Sequence, residues 1–357
     1  MKKVRVGVIG CGAISPSYLK NMKAFFSDLL EVAACADLNT DAARKRAEEF
    51  GVPKTCSVQE LLQDPTIEIV VNLTNPEAHY PVTMAALAAG KHVFTEKPLG
   101  ISMSEGRKIV AAAAAKKLTL AGAADTFLGG GLQLCRKLVD EGRIGKPLNA
   151  TAYVGISVPS ERYHRIGYGP MFDLSPYYIT ALLYLLGPVK NVAGMARIPF
   201  PEKEFNGQKF KVQTPTNIVG LMEFVSGPLA VITASNEVSG YLPRVEVFGT
   251  EGILVGNDSN GYHGKVTIRK ESGDEVFEDT KGFNEPGRAL GVAEMALSIR
   301  RERPPQAGAP MLFHVLDIMH SIHEASRTRR QVAVKSRWDR PEPFDFESLK
   351  RDAREMR

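Results

Sequence analysis

The fold is decided by the stretch Val4-Arg5-Val6-Gly7-Val8-Ile9-Gly10-Cys11-Gly12-Ala13-Ile14-Ser15. Its first half is short, apolar and β-branched, which predicts a buried parallel strand. Gly10 and Gly12 then form a G-x-G turn, in which Gly10 permits the tight bend and Gly12 lets the backbone approach a pyrophosphate. The N–H groups at the start of the next helix would face the same anion. Ser15 replaces the third glycine of that pattern, and G-x-G alone also fits a plain strand–turn–helix, so the rest of the chain has to decide.

The length and composition are those of an ordinary globular protein with two domains. The chain has 357 residues, of which 44% are hydrophobic and 24% are charged, and single cores stop growing near ~250–300 residues. The net charge of +5 is small and predicts neither nucleic-acid nor membrane binding. No apolar run approaches the ~20 residues of a spanning helix. The apolar run after Lys2 and Lys3 is too short for a signal peptide, so we interpret it as a strand.

The four cysteines point to a reducing compartment. Cys11, Cys35, Cys56 and Cys135 are scattered along the chain and show no spacing typical of metal ligands or redox pairs. We therefore expect reduced thiols in a cytoplasmic protein, and no metal site.

Strand and helix patterns alternate from Met1 to about Gly122, which predicts an α/β fold with a doubly wound parallel sheet. The second strand runs from Glu31 to Asp37. Asp37 lies 27 positions after Gly10, near the ~20-residue offset of the acid that binds the adenosine ribose. A cap of the next helix is the alternative role, although Asn39 or Thr40 suits it better. A carboxylate here would repel a 2′-phosphate, so the pattern favours NAD over NADP.

The pattern changes after residue 124. Several strand-like runs between Val189 and Phe277, separated by glycine, proline and asparagine, predict one large, mainly antiparallel, open sheet. Helical spacing follows in 288–301 and 311–328, and the charged tail from Arg337 is expected to wrap around the surface or fray. We expect a dinucleotide-binding domain over residues 1–124 and a substrate-binding and oligomerisation domain over 125–357.

Polar residues follow four predicted strands of the first domain. They are Asp37, Asn72 with Thr74, Glu96 with Lys97, and Asp125 with Thr126. Ligands of a doubly wound sheet bind at the carboxyl ends of its strands, so this set predicts a site. Pro98 restricts Lys97 to extended conformations, which fixes the direction of its side chain.

A second cluster, Gly167-Tyr168-Gly169-Pro170-Met171-Phe172-Asp173-Leu174-Ser175-Pro176-Tyr177-Tyr178, lies in the second domain. Asp173 and Tyr177 are four residues apart and would share one face of a helix. Asp173 could instead cap that helix, in competition with Ser175, and Tyr177 could be a core aromatic residue.

These residues together resemble the Gfo/Idh/MocA oxidoreductases, and the resemblance covers nearly the whole chain. Its carriers are Gly10-Cys11-Gly12, Asn72-x-Thr74-x-Pro76-x-x-His79, Glu96-Lys97-Pro98 and the segment from Gly167 to Tyr177. The resemblance implies a Rossmann domain followed by an α/β domain with a large open sheet. It also implies homodimers or homotetramers assembled through the outer face of that sheet.

The resemblance assigns candidate roles. Lys97 matches a family lysine that contacts the substrate hydroxyl and the nicotinamide ribose, and Asp173 matches the first residue of a D-x-x-x-H pattern. Tyr177 stands where that pattern has histidine. Oxidising an alcohol needs a base for the hydroxyl proton, and a nearby Lys97 ammonium would lower the ~10 pKa of a tyrosine. We therefore hypothesise that Tyr177 is the base, tuned by Lys97 and Asp173. His164, which we expect to be an exposed loop residue, is the rival.

The candidate cofactor residues are Gly10, Gly12, Ala13, Ile14, Asp37, Asn72, Leu73, Thr74, Asn75, His79, Glu96, Lys97 and Thr126. The candidate substrate residues are Lys97, Tyr163, His164, Arg165, Asp173 and Tyr177. The resemblance implies a hydroxyl-rich substrate, namely a sugar, a sugar derivative or a cyclitol.

Two other classes of function compete with an NAD-dependent dehydrogenase. A non-catalytic dinucleotide sensor could use the same fold, although it would not need both Lys97 and Asp173. A nucleic-acid-binding protein would rely on the arginine clusters at 300–303 and 327–330. Both clusters lie near predicted helix C-termini, where arginine is expected for other reasons.

Overall fold

The structure is a computed structural model that describes residues 2–241, 243–285 and 287–355. Met1, Leu242, Pro286, Met356 and Arg357 lie outside the described residues, so the outermost ends of the two expected domains are not covered. The described chain divides into two compact units. The first contains residues 2–125, 287–313 and 345–355, and the second contains 126–285 and 314–344.

The first unit is built on a parallel sheet. Its strands are β1 (Val4–Ile9), β2 (Leu30–Ala36), β3 (Ile69–Asn72), β4 (His92–Thr95) and β5 (Leu120–Gly122), in the order β2-β1-β3-β4-β5. Every pairing in this sheet is parallel, and β3 is buried along its whole length. The predicted doubly wound sheet is confirmed.

Helices connect and cover these strands. Within the first unit they are α1 (Ser15–Phe25), α2 (Thr40–Phe50), α3 (Val58–Gln63), α4 (Pro76–Ala88), α5 (Met103–Ala115), α9 (Leu290–Arg300) and α11 (Phe346–Glu355). Helices α1 and α2 pack on β2, α4 packs on β3 and β4, and α9 packs on β5. A capping box between Ser57 and Glu60 starts α3, and Gly51 ends α2 in the left-handed region (φ +69°).

The second unit is built on a larger, mixed sheet. Its strands are β6 (Pro147–Gly155), β7 (Val189–Arg197), β10 (Asn217–Phe224), β11 (Leu229–Ser235), β12 (Arg244–Gly249), β13 (Ile253–Gly256), β14 (Lys265–Lys270), β15 (Gly273–Glu278) and β16 (Val332–Ala333). The order is β15-β14-β13-β12-β6-β11-β10-β7-β16. All described pairings are antiparallel except β6 with β11, which run parallel. The predicted large, mainly antiparallel sheet is confirmed.

Three helices of this unit are α6 (Gly130–Asp140), α7 (Gly169–Asp173) and α8 (Ser175–Leu186), and α10 (Ala309–Thr328) belongs to it from residue 314 onward. Helix α8 is buried along its whole length and packs on β6, β11 and β12. Helix α10 lies over two paired glycines, Gly194 and Gly220, where an added Cβ would come within 2.9 Å of Ile322. A separate hairpin consists of β8 (Glu202–Phe205) and β9 (Gln208–Lys211).

The C-terminal segments differ from the expected division of the chain. Residues 287–313 and 345–355 pack with the first unit, although the sequence pattern groups them with the second domain. Only the last part of the tail is regular: α11 buries Phe346, Leu349 and Ala353, whereas residues 334–345 lie in neither a helix nor a strand. Asp352 of α11 forms an ion pair with Arg301 at 3.4 Å. Fraying is excluded for residues 346–355, since their apolar residues recur at helical spacing among the charges. The irregular stretch before them lies along the second unit, where the Nε of Arg340 donates to the Tyr184 carbonyl at 2.7 Å.

Two further observations concern the chain as a whole. All four cysteines are free thiols, and Cys56 alone among them is not buried. Within the described residues, every helix is too short or too polar to cross a bilayer.

Candidate functional site

The carboxyl ends of four neighbouring strands meet at one edge of the first sheet. This edge carries the glycine turn after β1, Asp37 after β2, residues 72–75 at the end of β3, and Glu96 with Lys97 after β4. The structure thus brings together most of the polar strand ends that the sequence singled out. A crevice at this edge is where ligands of open α/β sheets bind.

The glycine turn has the shape that a dinucleotide needs. Gly10 has a φ of +101°, and a Cβ there would lie 2.6 Å from the carbonyl carbon of Leu73, so another residue would clash with the neighbouring loop. A Cβ on Gly12 would meet no protein atom within 4 Å. The open space at Gly12 therefore fits the approach of a pyrophosphate to the backbone. Ser15 is buried and donates its hydroxyl to the Gly12 carbonyl at 2.8 Å, so it braces the turn.

Asp37 lies directly beside this turn. Its Oδ2 accepts a hydrogen bond from the Cys11 N–H at 2.7 Å, and its Oδ1 accepts one from the Asn39 N–H at 2.8 Å. Asn39 caps α2, since its side chain accepts from the N–H groups of Asp41 and Ala42. The alternative role of Asp37 as a helix cap is therefore excluded.

The loop after β3 is held by side chains of its own segment. The Asn72 Oδ1 accepts from the hydroxyl of Thr74 at 2.6 Å, and its Nδ2 donates to the His79 carbonyl at 3.2 Å and to the Thr83 hydroxyl at 3.1 Å. Leu73 donates its N–H to the Ile9 carbonyl at 2.8 Å. The amide of Asn72 is thus committed to shaping the loop.

Glu96 is a buried carboxylate at the end of β4. It is 6% exposed and accepts the Tyr18 hydroxyl at 2.8 Å and the Lys97 N–H at 3.1 Å. The next peptide bond, between Lys97 and Pro98, is cis. Tyr18 comes from α1 and was not found by sequence reasoning, because 78 residues separate it from Glu96.

Thr126 belongs to the second unit. Its hydroxyl is buried and donates to the Ser259 carbonyl at 2.6 Å. This hydroxyl therefore already has an acceptor within its own unit.

The prediction that Asp173 and Tyr177 share one face of a helix is wrong, because they lie in different helices. Asp173 is the last residue of α7, whereas Tyr177 lies in the first turn of α8. The helix is interrupted at Leu174, because Pro176 has no N–H to continue the hydrogen-bond ladder. The N-cap residue of α8 is Leu174, and the Ser175 hydroxyl donates back to the Pro170 carbonyl at 2.8 Å, so Ser175 is not the cap. Tyr177 is 2% exposed.

The residue before Asp173 packs against two histidines of α10. The Phe172 ring lies 5.2 Å from the His320 ring and 5.5 Å, at 3° between planes, from the His323 ring. Burial lowers the pKa of both histidines, that of His323 to about 4. Phe172 is therefore held by two neutral aromatic rings, and it positions the segment that ends in Asp173.

His164 is fully buried, so the expectation of an exposed loop histidine is wrong. The hairpin β8–β9 covers it, with Phe210 packed 5.4 Å from its ring. Its Nδ1 donates to the Ser160 carbonyl at 3.0 Å, and its Nε2 lies 4.0 Å from Glu237, whose other oxygen pairs with Lys203. Burial lowers the pKa of His164.

The neighbours of His164 are more accessible. Tyr163 is half-buried, with the Arg162 guanidinium 4.8 Å above its ring. Arg165 is exposed and pairs with Glu161 at 3.2 Å. Of the three substrate candidates in this loop, Tyr163 and Arg165 have accessible side chains.

A carboxylate that the sequence did not reveal lies beside α8. Asp258 accepts the hydroxyl of Tyr178 at 2.7 Å on Oδ1 and that of Tyr241 at 2.5 Å on Oδ2. Burial, reinforced by the Asp258 charge, raises the pKa of Tyr178, and burial together with the hydrogen bond to Asp258 raises that of Tyr241 to about 12. Both tyrosines therefore remain hydrogen-bond donors at neutral pH.

Comparison with known proteins decides the family. Residues 4–123 match the model of the Gfo/Idh/MocA oxidoreductase family with NAD-binding Rossmann fold, and residues 132–255 match the model of the Gfo/Idh/MocA C-terminal domain. The chain is 36% identical over 285 residues to an inositol 2-dehydrogenase/D-chiro-inositol 3-dehydrogenase of Shouchella clausii, covering 78% of each chain. This chain belongs to the Gfo/Idh/MocA oxidoreductase family.

Two other known proteins are similar to this chain over nearly its full length. Myo-inositol 2-dehydrogenase of Thermotoga maritima is 28% identical over 340 residues, which cover 93% of this chain and 99% of that protein. The solved structure of a levoglucosan dehydrogenase in complex with NADH and L-sorbose superposes with a TM-score of 0.84 at 21% identity, covering 94% of this chain and all of that one. That structural likeness shows the fold.

Family membership makes this chain an enzyme, a dehydrogenase or reductase with an NAD-binding Rossmann fold. The arginines at 300–303, which could have suggested nucleic-acid binding, form ion pairs within the first unit. Arg300 pairs with Glu68 at 2.7 Å, Arg301 with Asp352 and Arg303 with Glu294. In the first unit these arginines therefore serve the fold.

Proposed function

We propose that this enzyme transfers a hydride between a nicotinamide cofactor and a hydroxyl or keto carbon of a sugar, a sugar derivative or a cyclitol, with NAD preferred over NADP. The observation that carries the cofactor preference is the Asp37 carboxylate, 2.7 Å from the Cys11 N–H in the glycine turn. A negative charge beside the turn binds ribose hydroxyls and repels a 2′-phosphate. The relatives named for inositol and the structure that holds L-sorbose support a polyhydroxylated substrate.

The cofactor would be held along the carboxyl edge of the first sheet. The backbone of Gly10, Gly12, Ala13 and Ile14 would receive the pyrophosphate, because the turn is open at Gly12 and α1 begins there without a capping side chain. We assign the nicotinamide half to the loops at 72–75 and 96–97, with His79 and Thr126 as the remaining candidates. When bound, the nicotinamide accepts or returns the hydride.

We propose that Tyr177 is the general base that accepts the proton of the substrate hydroxyl. A free tyrosine with a pKa of ~10 is a poor base at neutral pH, so a neighbouring cation is needed to favour the phenolate. Lys97 is our candidate for that cation and for binding the substrate hydroxyl, with Asp173 as the carboxylate that orients it. Tyr163 and Arg165 are the further substrate contacts that we favour. His164 ranks below Tyr177 as a base, because its ring is buried under the β8–β9 hairpin.

We also propose a homodimer or homotetramer assembled through the outer face of the large sheet, in the cytoplasm. Met195 and Leu221 are 68% and 51% exposed on this face. They line a groove of about 850 Å³ together with other apolar residues and with arginines, among them Arg327 and Arg330. A large apolar patch of this kind is typical of an interface.

The test is a screen of sugars and cyclitols with NAD and with NADP, followed at the absorbance band of the reduced nicotinamide. We expect turnover of at least one such polyol with NAD. Tyr177→Phe is expected to lower kcat by about 10²–10⁴-fold, which is the usual contribution of general acid–base catalysis. Lys97→Met should lower kcat and raise KM, since Lys97 would act on both substrate and proton.

Tyr184→Phe is the matched control for Tyr177→Phe. Tyr184 lies in the same helix, and its hydroxyl donates to Gln133 at 2.8 Å, so its loss should leave kcat within about threefold of the wild type. If Tyr177→Phe stays within that range as well, Tyr177 is not the base. A clear NADP preference would contradict the role given to Asp37.

A further inference from the structure

His79 is a buried histidine whose two ring nitrogens both face main-chain carbonyls. The side chain is 1% exposed. Its Nδ1 lies 2.8 Å from the Pro98 carbonyl oxygen and its Nε2 lies 3.0 Å from the Thr74 carbonyl oxygen. A carbonyl oxygen accepts hydrogen bonds and cannot donate them, so each nitrogen has to donate. A neutral imidazole carries one N–H, whereas the imidazolium carries two.

The groups around His79 act on its pKa in opposite directions. Burial lowers the pKa of His79, and the ammonium of Lys97 acts in the same direction. The contacts with the carbonyls of Pro98 and Thr74 raise it, as does the carboxylate of Glu96. Glu96 is buried as well and is held by the hydroxyl of Tyr18. Burial is the largest of these effects and lowers the pKa of His79 overall, so it is the two nitrogen-to-carbonyl contacts at 2.8 and 3.0 Å that favour the cation.

The two carbonyls belong to different loops of the candidate site. Thr74 lies in the loop after β3, and Pro98 directly follows Lys97 after β4. His79 itself is fixed from α4, where its own carbonyl accepts the side chain of Asn72. The imidazole thus spans the gap between the Thr74 loop and the Lys97 loop.

We propose that His79 is a positioning residue that works as an imidazolium, with one N–H holding the Thr74 loop and the other holding the Lys97–Pro98 loop. The imidazole acts through these loops, because both of its nitrogens are occupied by main-chain carbonyls. This inference deepens the proposed function and rests on it. Loss of one proton would place a bare nitrogen against a carbonyl oxygen, and that repulsion would loosen one of the two loops.

The first test reads the protonation state directly from the ¹⁵N signals of histidine side chains in histidine-labelled wild-type protein at pH 7.5. An ordinary histidine with a pKa of ~6.5 is about nine-tenths neutral there. We expect one histidine to show two protonated ring nitrogens, and we expect this pattern to vanish in His79→Gln. If every histidine signal at pH 7.5 shows one bare nitrogen, the proposal is overturned, and this result needs no variant.

His92 is the internal reference for these spectra. It lies in β4 of the same unit, and its Nδ1 accepts the Thr119 N–H at 2.9 Å. That nitrogen is therefore bare, and burial lowers the pKa of His92. His92→Gln identifies its signal, which should show the neutral pattern at the same pH.

The second test measures NADH binding by fluorescence. A glutamine at position 79 has donors at one end, so it can serve one carbonyl. We expect His79→Gln to weaken NADH binding roughly tenfold or more, the loss that follows removal of a charge-assisted hydrogen bond. The wild-type Kd should rise between pH 7.5 and 9, and this slope should be absent in His79→Gln. The control His92→Gln should bind NADH as the wild type does.

The two proposals fail in different ways. An enzyme that binds NADH with this pH dependence but oxidises no polyol contradicts the proposed substrate class and leaves the role of His79 intact. If His79→Gln folds, as judged by its thermal melt, and binds NADH with the wild-type Kd and pH slope, His79 is not a positioning residue. If that variant does not fold, His79→Asn and the wild-type spectra decide.

Discussion

Tyr178 donates its hydroxyl to the Oδ1 of Asp258 at 2.7 Å, across 80 residues of sequence. Tyr178 is fully buried in the first turn of α8, next to Tyr177. The N-cap residue of that turn, Leu174, has an apolar side chain, so the contact with Asp258 is one of the interactions that fix the turn. Asp258 is itself oriented by the Asn260 N–H at 2.9 Å.

Tyr178→Phe is therefore expected to destabilise the fold. Removing a buried hydrogen bond to a charged group costs about 1.5–3 kcal/mol, and urea denaturation would measure it as a loss of unfolding free energy. Tyr241→Phe removes the other hydroxyl from the same carboxylate, but Tyr241 is 45% exposed, so its loss should be smaller. An equal effect of the two substitutions would show that burial of the Tyr178 hydroxyl does not matter.

Asp258→Asn provides a spectroscopic test of the same contact. The hydrogen bond to Asp258 contributes to the raised pKa of Tyr241, which is about 12. Loss of the carboxylate charge should move this pKa toward the usual ~10, although the part that burial causes will remain. Ultraviolet titration of tyrosinate would follow the change, and Tyr241→Phe would identify the signal. No change in the titration would contradict the contact.

Asp37→Ala should change the choice of cofactor. The substitution removes the acceptor of the Cys11 N–H and the charge that opposes a 2′-phosphate. We expect the Kd for NADH to rise roughly tenfold, and the discrimination against NADPH to fall. Fluorescence titration with both nucleotides would measure this change.

Asp41→Ala is the matched control for that experiment. Asp41 lies in the first turn of α2, with its side chain 82% exposed and paired with Arg44. Its loss changes the net charge equally without touching the turn, so both dissociation constants should stay near the wild-type values. If the two variants behave alike, the effect at Asp37 is one of overall charge.

The first sheet and its glycine turn could be predicted because their signals are local. The apolar run of β1, the turn at Gly10 and the acid after β2 lie within 37 residues. The interruption at Leu174 was missed, although Pro176 was a visible signal for it. The burial of His164 depends on the hairpin β8–β9, whose residues come about 40 positions later. Contacts of this kind, like that between Tyr178 and Asp258, leave no periodic trace in the sequence.

Arg303→Met should destabilise the first unit in a pH-dependent way. The fully buried Glu294 accepts hydrogen bonds from Arg303 at 2.8 Å and from Ser298 at 2.9 Å. Breaking a fully buried pair costs ~3–5 kcal/mol. Because the Arg303 side chain is 40% exposed, we expect a smaller loss, of about 1–3 kcal/mol at pH 8.

The sign of the pH dependence follows from Glu294. Burial raises the pKa of its carboxyl above the unfolded value of 4.5, so the folded state prefers the neutral form. This preference stabilises the fold at low pH and is lost as the pH rises. The deficit of Arg303→Met in thermal melts should therefore shrink between pH 8 and 5.5, and Glu294→Gln should rescue it. Arg301→Met, a surface control, should lose at most ~1 kcal/mol at either pH.

Met195→Glu and Leu221→Glu should separate the proposed oligomer into smaller species. The two residues lie on adjacent strands, β7 and β10, and line the same apolar groove. Burying an unpaired carboxylate in an interface costs several kcal/mol, of the order of a hundredfold or more in the dissociation constant. Light scattering coupled to gel filtration would measure the mass of each variant.

Val276→Glu is the matched control, because Val276 is 63% exposed on β15 at the far end of the same sheet and lies outside the groove. If Val276→Glu dissociates the protein while Met195→Glu and Leu221→Glu do not, the subunits meet elsewhere than at this face.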